Sequence, residues 1–294
     1  MFEWFRCPDD KIIPYTDCLS KCRIDQRCLT LPTLSLISRQ REWKGVASTT
    51  QLLDGTMYTF LKITQPYAID PDQSMFALHG EGVHTLLKMS ANGHGFPAEI
   101  PLSDDRDIFD LLEPDGNGYI LTDYKTWGSF RVAKALGMVE VGKKPDPSGA
   151  TYQRSGTWGK AGTPKMITVF QPIPSEVDNK EAELQLNNYR LMLEERGVPI
   201  TRMQVQVLVR DGGLQVARGR GIKRNSYLIP INKMDDSLVR SYFTAKNYAL
   251  MDALGDGKWS TPCTNDECWD GVRCRDYCEV AMYCPKGIIE TGGK

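Results

Sequence analysis

The chain has 294 residues, of which 41% are hydrophobic and 25% are charged, so it can bury a core and is not of low complexity. Its 36 basic and 37 acidic side chains give a formal net charge of −1, which excludes a strongly basic protein that coats nucleic acid. No stretch reaches the roughly 18 apolar residues of a membrane span, and the amino terminus lacks the pattern of a secretory signal. We therefore expect a soluble, cytoplasmic protein with no membrane partner.

Nine cysteines lie in two groups, four within residues 7–28 and five within 263–284. Clustered thiols in a reducing compartment indicate metal ligation, with a disulfide framework as the alternative. This grouping predicts three segments. They are a metal-binding segment over residues 1–32, a core over 33–255 and a second metal-binding segment over 256–294.

The first half of the core has apolar residues at helical spacing, from about residue 34 to 64 and from 73 to 90. Ser48 or Thr49 is suited to cap a helix in the first of these stretches. Further along, residues 141–177 are rich in Gly, Pro and Ser, which predicts an irregular insertion with one strand inside it. The remaining predicted elements are a helix at 130–136, a strand at 166–171, a helix at 180–196 ended by Gly197, a strand at 203–210 and a helix at 235–254. This order indicates a mixed α/β fold around a central sheet.

A β-hairpin is predicted between these helices, with strands at 108–112 and 119–125 separated by a run of turn residues. Asp123 and Lys125 are two residues apart on the second strand, so both project from one face, and Asp110 lies opposite them. Two carboxylates beside a lysine suit a hard divalent cation, Mg²⁺ or Mn²⁺, and the hydrolysis of a phosphodiester. The alternative is a solvated ion pair on an exposed strand.

Three further residues accompany the hairpin. His84 lies on the predicted helix before it, as a metal ligand or as an ordinary helical histidine. Gln185 and Tyr189 are four residues apart, so they share one face of the 180–196 helix. Amide and phenol groups on such a face can hydrogen-bond a phosphate or a base.

These motifs occur in a specific order: Gly-x-x-x-His at 80–84, Asp110, Asp-Tyr-Lys-Thr at 123–126 and Gln-x-x-x-Tyr at 185–189. Together they resemble the RecB-type branch of the PD-(D/E)xK nucleases, over about residues 45 to 284. That branch includes the CRISPR-associated RecB-like exonuclease family, which carries a cysteine-bound iron–sulfur cluster. The resemblance implies a restriction-endonuclease-like core, with a central mixed sheet flanked by helices.

The resemblance also implies a role for each motif residue. It makes His84, Asp110 and Asp123 ligands of Mg²⁺ or Mn²⁺, with the backbone carbonyl of Tyr124 as a further ligand, and Lys125 the catalytic lysine. It makes Gln185 and Tyr189 substrate-positioning residues. The implied function is a DNA exonuclease that acts on ends or single strands in repair or recombination, with a helicase or recombination protein as a candidate partner.

One departure from the family concerns its Cys-Pro pair in the first helix of the nuclease. Here residues 53–57 read Leu-Asp-Gly-Thr-Met, so an amino-terminal cluster ligand would have to come from residues 7–28.

The two cysteine groups contain quartets with identical spacings of 11, 4 and 6 residues. The quartets are Cys7, Cys18, Cys22 and Cys28, and Cys263, Cys274, Cys278 and Cys284. The repeated spacing predicts two four-thiolate sites and leaves Cys268 outside them. Four thiolates suit a 4Fe–4S cluster or Zn²⁺. We expect a 4Fe–4S cluster at the carboxyl-terminal quartet, and Zn²⁺ or a second 4Fe–4S cluster at the amino-terminal one.

A dense basic run follows the predicted strand at 203–210, and we expect it on a strand pair. Its residues are Arg210, Arg218, Arg220, Lys223 and Arg224. Either it is a solvated hairpin face, or it binds the phosphate backbone of DNA while Tyr227 stacks on a base.

Two other classes of function remain open at this point. One is a cysteine–metal nucleic-acid-binding or scaffold protein with a vestigial nuclease site. The other is a redox sensor, for which the sequence shows no second electron carrier.

Overall fold

The computed structural model describes residues 1–40, 42–103, 106–157 and 159–292, and it has a mixed α/β fold. In the first part of the chain the elements are β1 (Phe2–Arg6), β2 (Ile12–Pro14), α1 (Tyr15–Ser20), α2 (Leu31–Ile37), α3 (Thr49–Leu53), α4 (Thr56–Thr64), β3 (Tyr67–Ile69), α5 (Met75–Gly93), β4 (Ala98–Ser103), β5 (Arg106–Asp115) and β6 (Gly118–Trp127). They are followed by α6 (Ser129–Ala135), β7 (Met138–Pro145), β8 (Met166–Pro172), α7 (Lys180–Glu194), β9 (Ile200–Val209), α8 (Gln215–Arg218), β10 (Ser226–Ile231), α9 (Asp236–Asp256), α10 (Val272–Asp276) and α11 (Pro285–Thr291).

The chain divides into two compact units. The first comprises residues 1–85, 101–108 and 234–294, and the second comprises 86–100 and 109–233. Both cysteine-rich ends belong to the first unit, so the compact units are drawn differently from the three segments that the sequence predicts.

A mixed five-stranded sheet forms the core of the second unit, in the order β10-β9-β6-β5-β4. Strands β6 and β9 are parallel, whereas β5 with β6 and β9 with β10 are antiparallel. Alternate side chains of these strands fill the interior, and Leu121, Val205 and Val207 are fully buried there. Helices α6 and α7 pack on the sheet. The predicted mixed sheet flanked by helices is thereby confirmed.

The predicted hairpin is formed by β5 and β6. Their pairing runs from Leu111 opposite Thr122 to Asp115 opposite Gly118, so the turn is only two residues long. Gly116 in this turn has φ +60°, a conformation that costs glycine little and other residues more. The register of the hairpin follows from this tight turn.

A small sheet in the order β2-β1-β3 begins the first unit. Phe2, Phe5, Cys18 and Leu34 form its buried cluster. Elsewhere in the unit α3 and α4 pack on α9. None of the described helices is long and apolar enough to cross a membrane.

Several predicted helices are confirmed within a few residues, namely α5, α6, α7 and α9. The stretch from 34 to 64 is not one helix but parts of α2, α3 and α4, and Arg41 within it lies outside the described residues. Ser48 does cap α3, in a capping box with Gln51.

The prediction of an irregular insertion at 141–177 is wrong in part, because β7 and β8 pair as an antiparallel ribbon. Strand β8 contains the predicted strand at 166–171. The basic run was predicted on a strand pair, and this is also wrong. Helix α8 and the loop at 219–225 occupy most of that stretch, because glycines interrupt the alternation that a strand needs.

Candidate active site

Asp110, Asp123 and Lys125 converge at the paired strands β5 and β6. Asp123 and Lys125 lie opposite Val205 and Val207 of the parallel strand β9, which fixes their position in the sheet. Oδ2 of Asp110 accepts a hydrogen bond of 2.6 Å from the backbone N–H of Tyr124. Both aspartates are buried. The backbone of the hairpin therefore holds the two carboxylates side by side.

Lys125, Asp123 and Gln185 form a closed triangle of polar contacts. Nζ of Lys125 donates to Oδ1 of Asp123 at 2.9 Å and to Oε1 of Gln185 at 3.2 Å. Nε2 of Gln185 donates to the same Asp123 oxygen at 3.2 Å. Helix α7 thus supplies an amide that contacts both members of the ion pair, whereas the sequence motif implies a contact of Gln185 with substrate.

The ammonium group of Lys125 stays charged in this setting. Burial alone would lower the pKa of Lys125, but the carboxylates of Asp123 and Asp110 and the hydrogen bond to Asp123 outweigh it and raise the pKa. A cation is therefore available beside the carboxylates at neutral pH.

Oδ2 of Asp123 is buried and accepts no hydrogen bond from the described residues, but it lies 2.8 Å from Nζ of Lys125. The lysine ammonium offsets the charge of this buried carboxylate, so a metal ion bound there would share the carboxylate with Lys125. Oxygen donors of this kind are the ligands that Mg²⁺ and Mn²⁺ prefer.

Glu99 is a further acidic residue, one that the sequence analysis missed. Its carboxylate lies within 4.8 Å of that of Asp110, measured between their nearest ligand oxygens. Glu99 has φ +53°, a left-handed conformation that is strained for a residue other than glycine and is found often at functional sites. Burial and then Glu113, Asp110 and Glu99 raise the pKa of the neighbouring Tyr124 phenol to about 12.

His84 lies on α5, in the part of that helix assigned to the first unit. It precedes Leu87 by three residues and Ala91 by seven, so all three share one helical face. Leu87 and Ala91 pack in a cluster with Leu111 and Tyr124. His84 itself is half-buried.

Tyr189 was expected to position substrate, but its side chain is buried. It lies one turn after Gln185 on α7 and is only 4% exposed. Its ring is therefore packed inside the protein, whereas Gln185 reaches the Asp123–Lys125 pair.

The basic run lies beyond the carboxyl ends of β6 and β9. The backbone N–H of Arg210 donates to the carbonyl of Trp127, which lies two residues beyond Lys125 on β6. Arg220 donates to Ser129 at 2.9 Å and lies 3.8 Å from Asp211. The exposed basic residues of the run are Arg210, Arg218, Lys223 and Arg224, whereas Arg220 is half-buried.

Tyr227, predicted as a stacking residue, has its hydroxyl group engaged locally. The hydroxyl accepts hydrogen bonds from the backbone N–H groups of Lys223 and Arg224, both at 3.1 Å. This contact shapes the loop that carries the two basic side chains.

The carboxyl-terminal cysteines form a second candidate site, in the first unit. The spacing predicts that Cys268 lies outside the quartet; in the structure Cys268 is 1% exposed, its thiol donates to Asn265 O at 3.6 Å, and it also contacts Cys274. Burial, followed by the thiols of Cys268 and Cys284, raises the pKa of Cys274. Lys286 contacts Cys268 as well. The equal spacing of the two quartets did not reveal this arrangement.

Gly55 lies in the region where the family has a Cys-Pro pair and this chain has none. A β-carbon at Gly55 would collide with Sγ of Cys263, so that thiol fills the space beside the residue. The sequence analysis expected an amino-terminal cluster ligand, if there is one, to come from residues 7–28, and that expectation stays a prediction. The structure places Cys263, from the carboxyl-terminal group itself, at the start of α4.

Ion pairs attach the carboxyl-terminal segment to the helices of the first unit. Arg273 contacts Asp54 at 2.7 Å, and its guanidinium lies 4.1 Å from the ring centre of Tyr58. Lys246 contacts Glu267 at 2.7 Å, and Lys62 contacts Glu279 at 2.9 Å. These three ion pairs therefore join this segment to α3, α4 and α9 or to the residues between these helices.

Comparison with known proteins adds little to these observations. No protein-family model and no curated protein matches the chain. A solved structure described as "Crystal structure of SSO0001" is similar over 86% of this chain and 91% of that one. The two are 13% identical with a TM-score of 0.41. This likeness bears on neither the chemistry nor the substrate.

Proposed function

We propose that the protein is a metal-dependent DNA nuclease of the PD-(D/E)xK type, which hydrolyses phosphodiester bonds at DNA ends or in single strands. The observation that carries the proposal is the Asp123–Lys125–Gln185 triangle beside Asp110. Within it, one buried Asp123 oxygen accepts no hydrogen bond from the described residues. A lysine held against two buried carboxylates is costly to fold and is understandable as a catalytic arrangement.

Asp110 and Asp123 would hold Mg²⁺ or Mn²⁺, together with the Tyr124 carbonyl. Glu99 is the further oxygen ligand in this proposal. A divalent cation at such a site lowers the pKa of a bound water and neutralises charge on the phosphate.

Lys125 acts on the anion that the carboxylates alone would repel. Its charged ammonium group donates hydrogen bonds to a phosphate oxygen or orients the attacking water. Gln185 limits the rotation of the lysine, so the ammonium group is positioned before substrate arrives.

The exposed basic residues after β9 are suited to the DNA backbone. Arg218, Lys223 and Arg224 lie beyond the end of the sheet at which Lys125 is found, and phosphate contacts of this kind position DNA without reading its sequence. Arg220 has the different role of stabilising the Ser129–Asp211 contact. Any strand separation would come from a helicase or recombination partner.

The carboxyl-terminal cysteines complete the proposal as a structural metal site. Thiolates of this number suit a 4Fe–4S cluster or Zn²⁺. Their place between ion-paired helices indicates that the metal stabilises the segment and takes no part in hydrolysis.

The test is a cleavage assay with end-labelled single- and double-stranded DNA, in Mg²⁺, in Mn²⁺ and in EDTA. We expect cleavage with either metal and none in EDTA. A parallel assay with RNA of the same sequence shows whether the protein prefers DNA. The alternative function, a nucleic-acid-binding protein with a vestigial site, predicts retarded DNA in a gel shift and no cleavage with any metal. That result would overturn the proposal.

A further inference from the structure

The proposed nuclease chemistry leaves the four amino-terminal cysteines without a role, yet the fold gathers them. Cys7 ends β1 at a tight turn, in which its N–H donates to Lys11 O at 2.7 Å and its carbonyl accepts from Asp10 N–H at 2.9 Å. Asp10 has φ +62°. The turn therefore presents the Cys7 thiol at the end of the small sheet.

Cys18 and Cys22 approach the same place from helix α1. Cys18 is buried in the cluster of Phe2, Phe5 and Leu34. Cys22 is four residues further on, two residues past the end of α1 at Ser20. The backbone turns extended at Lys21, the C-cap of the helix, so Cys22 leaves the helix close to the turn that carries Cys18.

Arg27 folds the following loop back onto the helix. Its guanidinium donates to the carbonyls of Cys18, Leu19 and Ser20, the last at 3.4 Å. These are the carbonyl groups that an α-helix leaves unpaired at its carboxyl end. Because Cys28 is the next residue, this contact returns its thiol to the helix that carries Cys18.

Arg23 forms the second tie. It donates a charge-assisted hydrogen bond to Asp9, and its guanidinium also contacts the Cys7 thiol. Residue 23 follows Cys22 and residue 9 lies two after Cys7. The contact therefore brings the two remaining thiols together.

The electrostatic surroundings of Cys18 are consistent with this gathering of the four cysteines. Burial is the largest cause of its raised pKa, followed by Cys28 and Cys7, with Cys22 contributing and Arg27 opposing. Four cysteines brought to one end of a small sheet suit a thiophilic metal, which binds them as thiolates.

We infer that Cys7, Cys18, Cys22 and Cys28 bind one thiophilic metal centre, Zn²⁺ or an iron–sulfur cluster, which is complete within the first 28 residues. The centre is separate from the carboxyl-terminal cysteines and from the hydrolytic site. Arg23 and Arg27 have a further role there, because four thiolates around Zn²⁺ carry a net negative charge that the two guanidiniums offset. The metal stabilises a module whose buried cluster is small.

The test is the metal content of the full-length protein and two variants, measured by elemental analysis after anaerobic purification. Cys28→Ser changes an exposed residue and should fold, and Cys274→Ser is the matched control in the other group. We expect two centres in the parent, loss of one in each variant and loss of both in the double variant. Zinc, or iron with its visible absorbance, decides between the two kinds of centre.

Two results would overturn the inference: parental metal content in Cys28→Ser, or a parent chain whose mass shows disulfides among the four residues. Thiol alkylation of the parent, before and after chelation, gives a second readout that needs no variant. The four thiols should be protected until the metal is removed, and reaction at equal rates in both states contradicts the proposal. The cleavage assay is separate, so metal at this site without cleavage rejects the nuclease proposal alone.

Discussion

The acidic site and the carboxyl-terminal cysteine segment both contain charged groups shielded from solvent, but the partners of these groups come from different distances along the chain. Asp110 bonds the backbone of Tyr124 within one hairpin, and Lys125 pairs with Asp123 two residues away. In the cysteine segment Arg273 reaches Asp54 and Glu279 reaches Lys62, over more than two hundred residues, and these pairs are partly buried. The first arrangement is local to one hairpin, whereas the second joins remote parts of the chain. Charge removal should therefore affect catalysis in one region and stability in the other.

The largest expected effect is the loss of catalysis at the acidic site. Asp110→Asn, Asp123→Asn and Lys125→Gln keep the side-chain shape and remove a charge, and we expect each to lower the cleavage rate by about 100-fold or more. Asp115→Asn, on the same hairpin, is the control and should cleave as the parent does. Equal rates in all four variants would show that the site has been misplaced.

These variants should also separate metal binding from the lysine. Lys125→Gln removes the cation that competes for Asp123, so Mn²⁺ should bind at least as tightly as in the parent while cleavage is lost. Calorimetry with Mn²⁺ measures this. Weaker Mn²⁺ binding in Lys125→Gln than in Asp123→Asn would contradict the assignment of the two roles.

The next effect concerns Cys268 at the centre of the carboxyl-terminal group. Because its thiol is buried against Cys274, Cys268→Ser should lower the metal content of this group and the melting temperature. The spacing of the quartets predicts the opposite, a silent substitution. Elemental analysis of Cys268→Ser beside Cys274→Ser decides between the spacing and the structure.

A smaller effect is expected from Lys246→Met, which leaves Glu267 without its ion pair. Removing one partner of a partly buried, charged hydrogen bond costs about 1–3 kcal/mol of unfolding free energy. Lys258→Met, an exposed lysine just past α9, is the control. Urea unfolding at neutral pH should show a lower free energy of unfolding for Lys246→Met only.

The pH dependence of this difference has a defined sign. Burial alone would raise the pKa of Glu267, but its hydrogen bonds to Lys246 and Thr264 outweigh burial and lower it below the ordinary 4.5. The stability that the pair adds is therefore complete above pH 4.5 and is lost as the pH falls through the lowered pKa. Parent and Lys246→Met should converge in acid, and a constant difference would exclude this pair as the cause.

The smallest effect is expected in DNA binding. Arg218→Ala and Lys223→Ala each remove one exposed cation beyond the carboxyl end of the sheet. Each should lower the slope of log affinity against log salt by about 1. Arg202→Ala, near the start of β9 and paired with Asp115, is the control. If Arg202→Ala lowered the salt dependence as much as Arg218→Ala, the DNA would bind elsewhere than beyond the carboxyl ends of β6 and β9, and the proposed DNA contact would be wrong.

Local pattern explains what the sequence could predict. The hairpin with Asp110, Asp123 and Lys125 rests on strand alternation and a two-residue turn, both visible within twenty residues. Glu99 was missed because it is a single acidic residue at no fixed spacing from the motifs. Its approach to Asp110 depends on the pairing of β4 with β5 and on a left-handed backbone.

The cysteine groups show the limit of spacing as a guide. Equal intervals in two quartets cannot show that Cys263 fills the space beside Gly55, since that contact joins residues some two hundred positions apart. Nor does the spacing reveal the ties that Arg23 and Arg27 make. In both groups the neighbours that decide the site lie outside the repeated pattern.

The most direct test of the nuclease proposal is the cleavage rate of end-labelled single-stranded DNA as a function of Mg²⁺ concentration, for the parent and for Asp123→Asn. The proposal predicts a rate that rises with Mg²⁺ to saturation in the parent, falls to background in EDTA and stays near background in the variant at every concentration. Cleavage by Asp123→Asn at the parental rate, or cleavage by the parent that EDTA leaves unchanged, would contradict it.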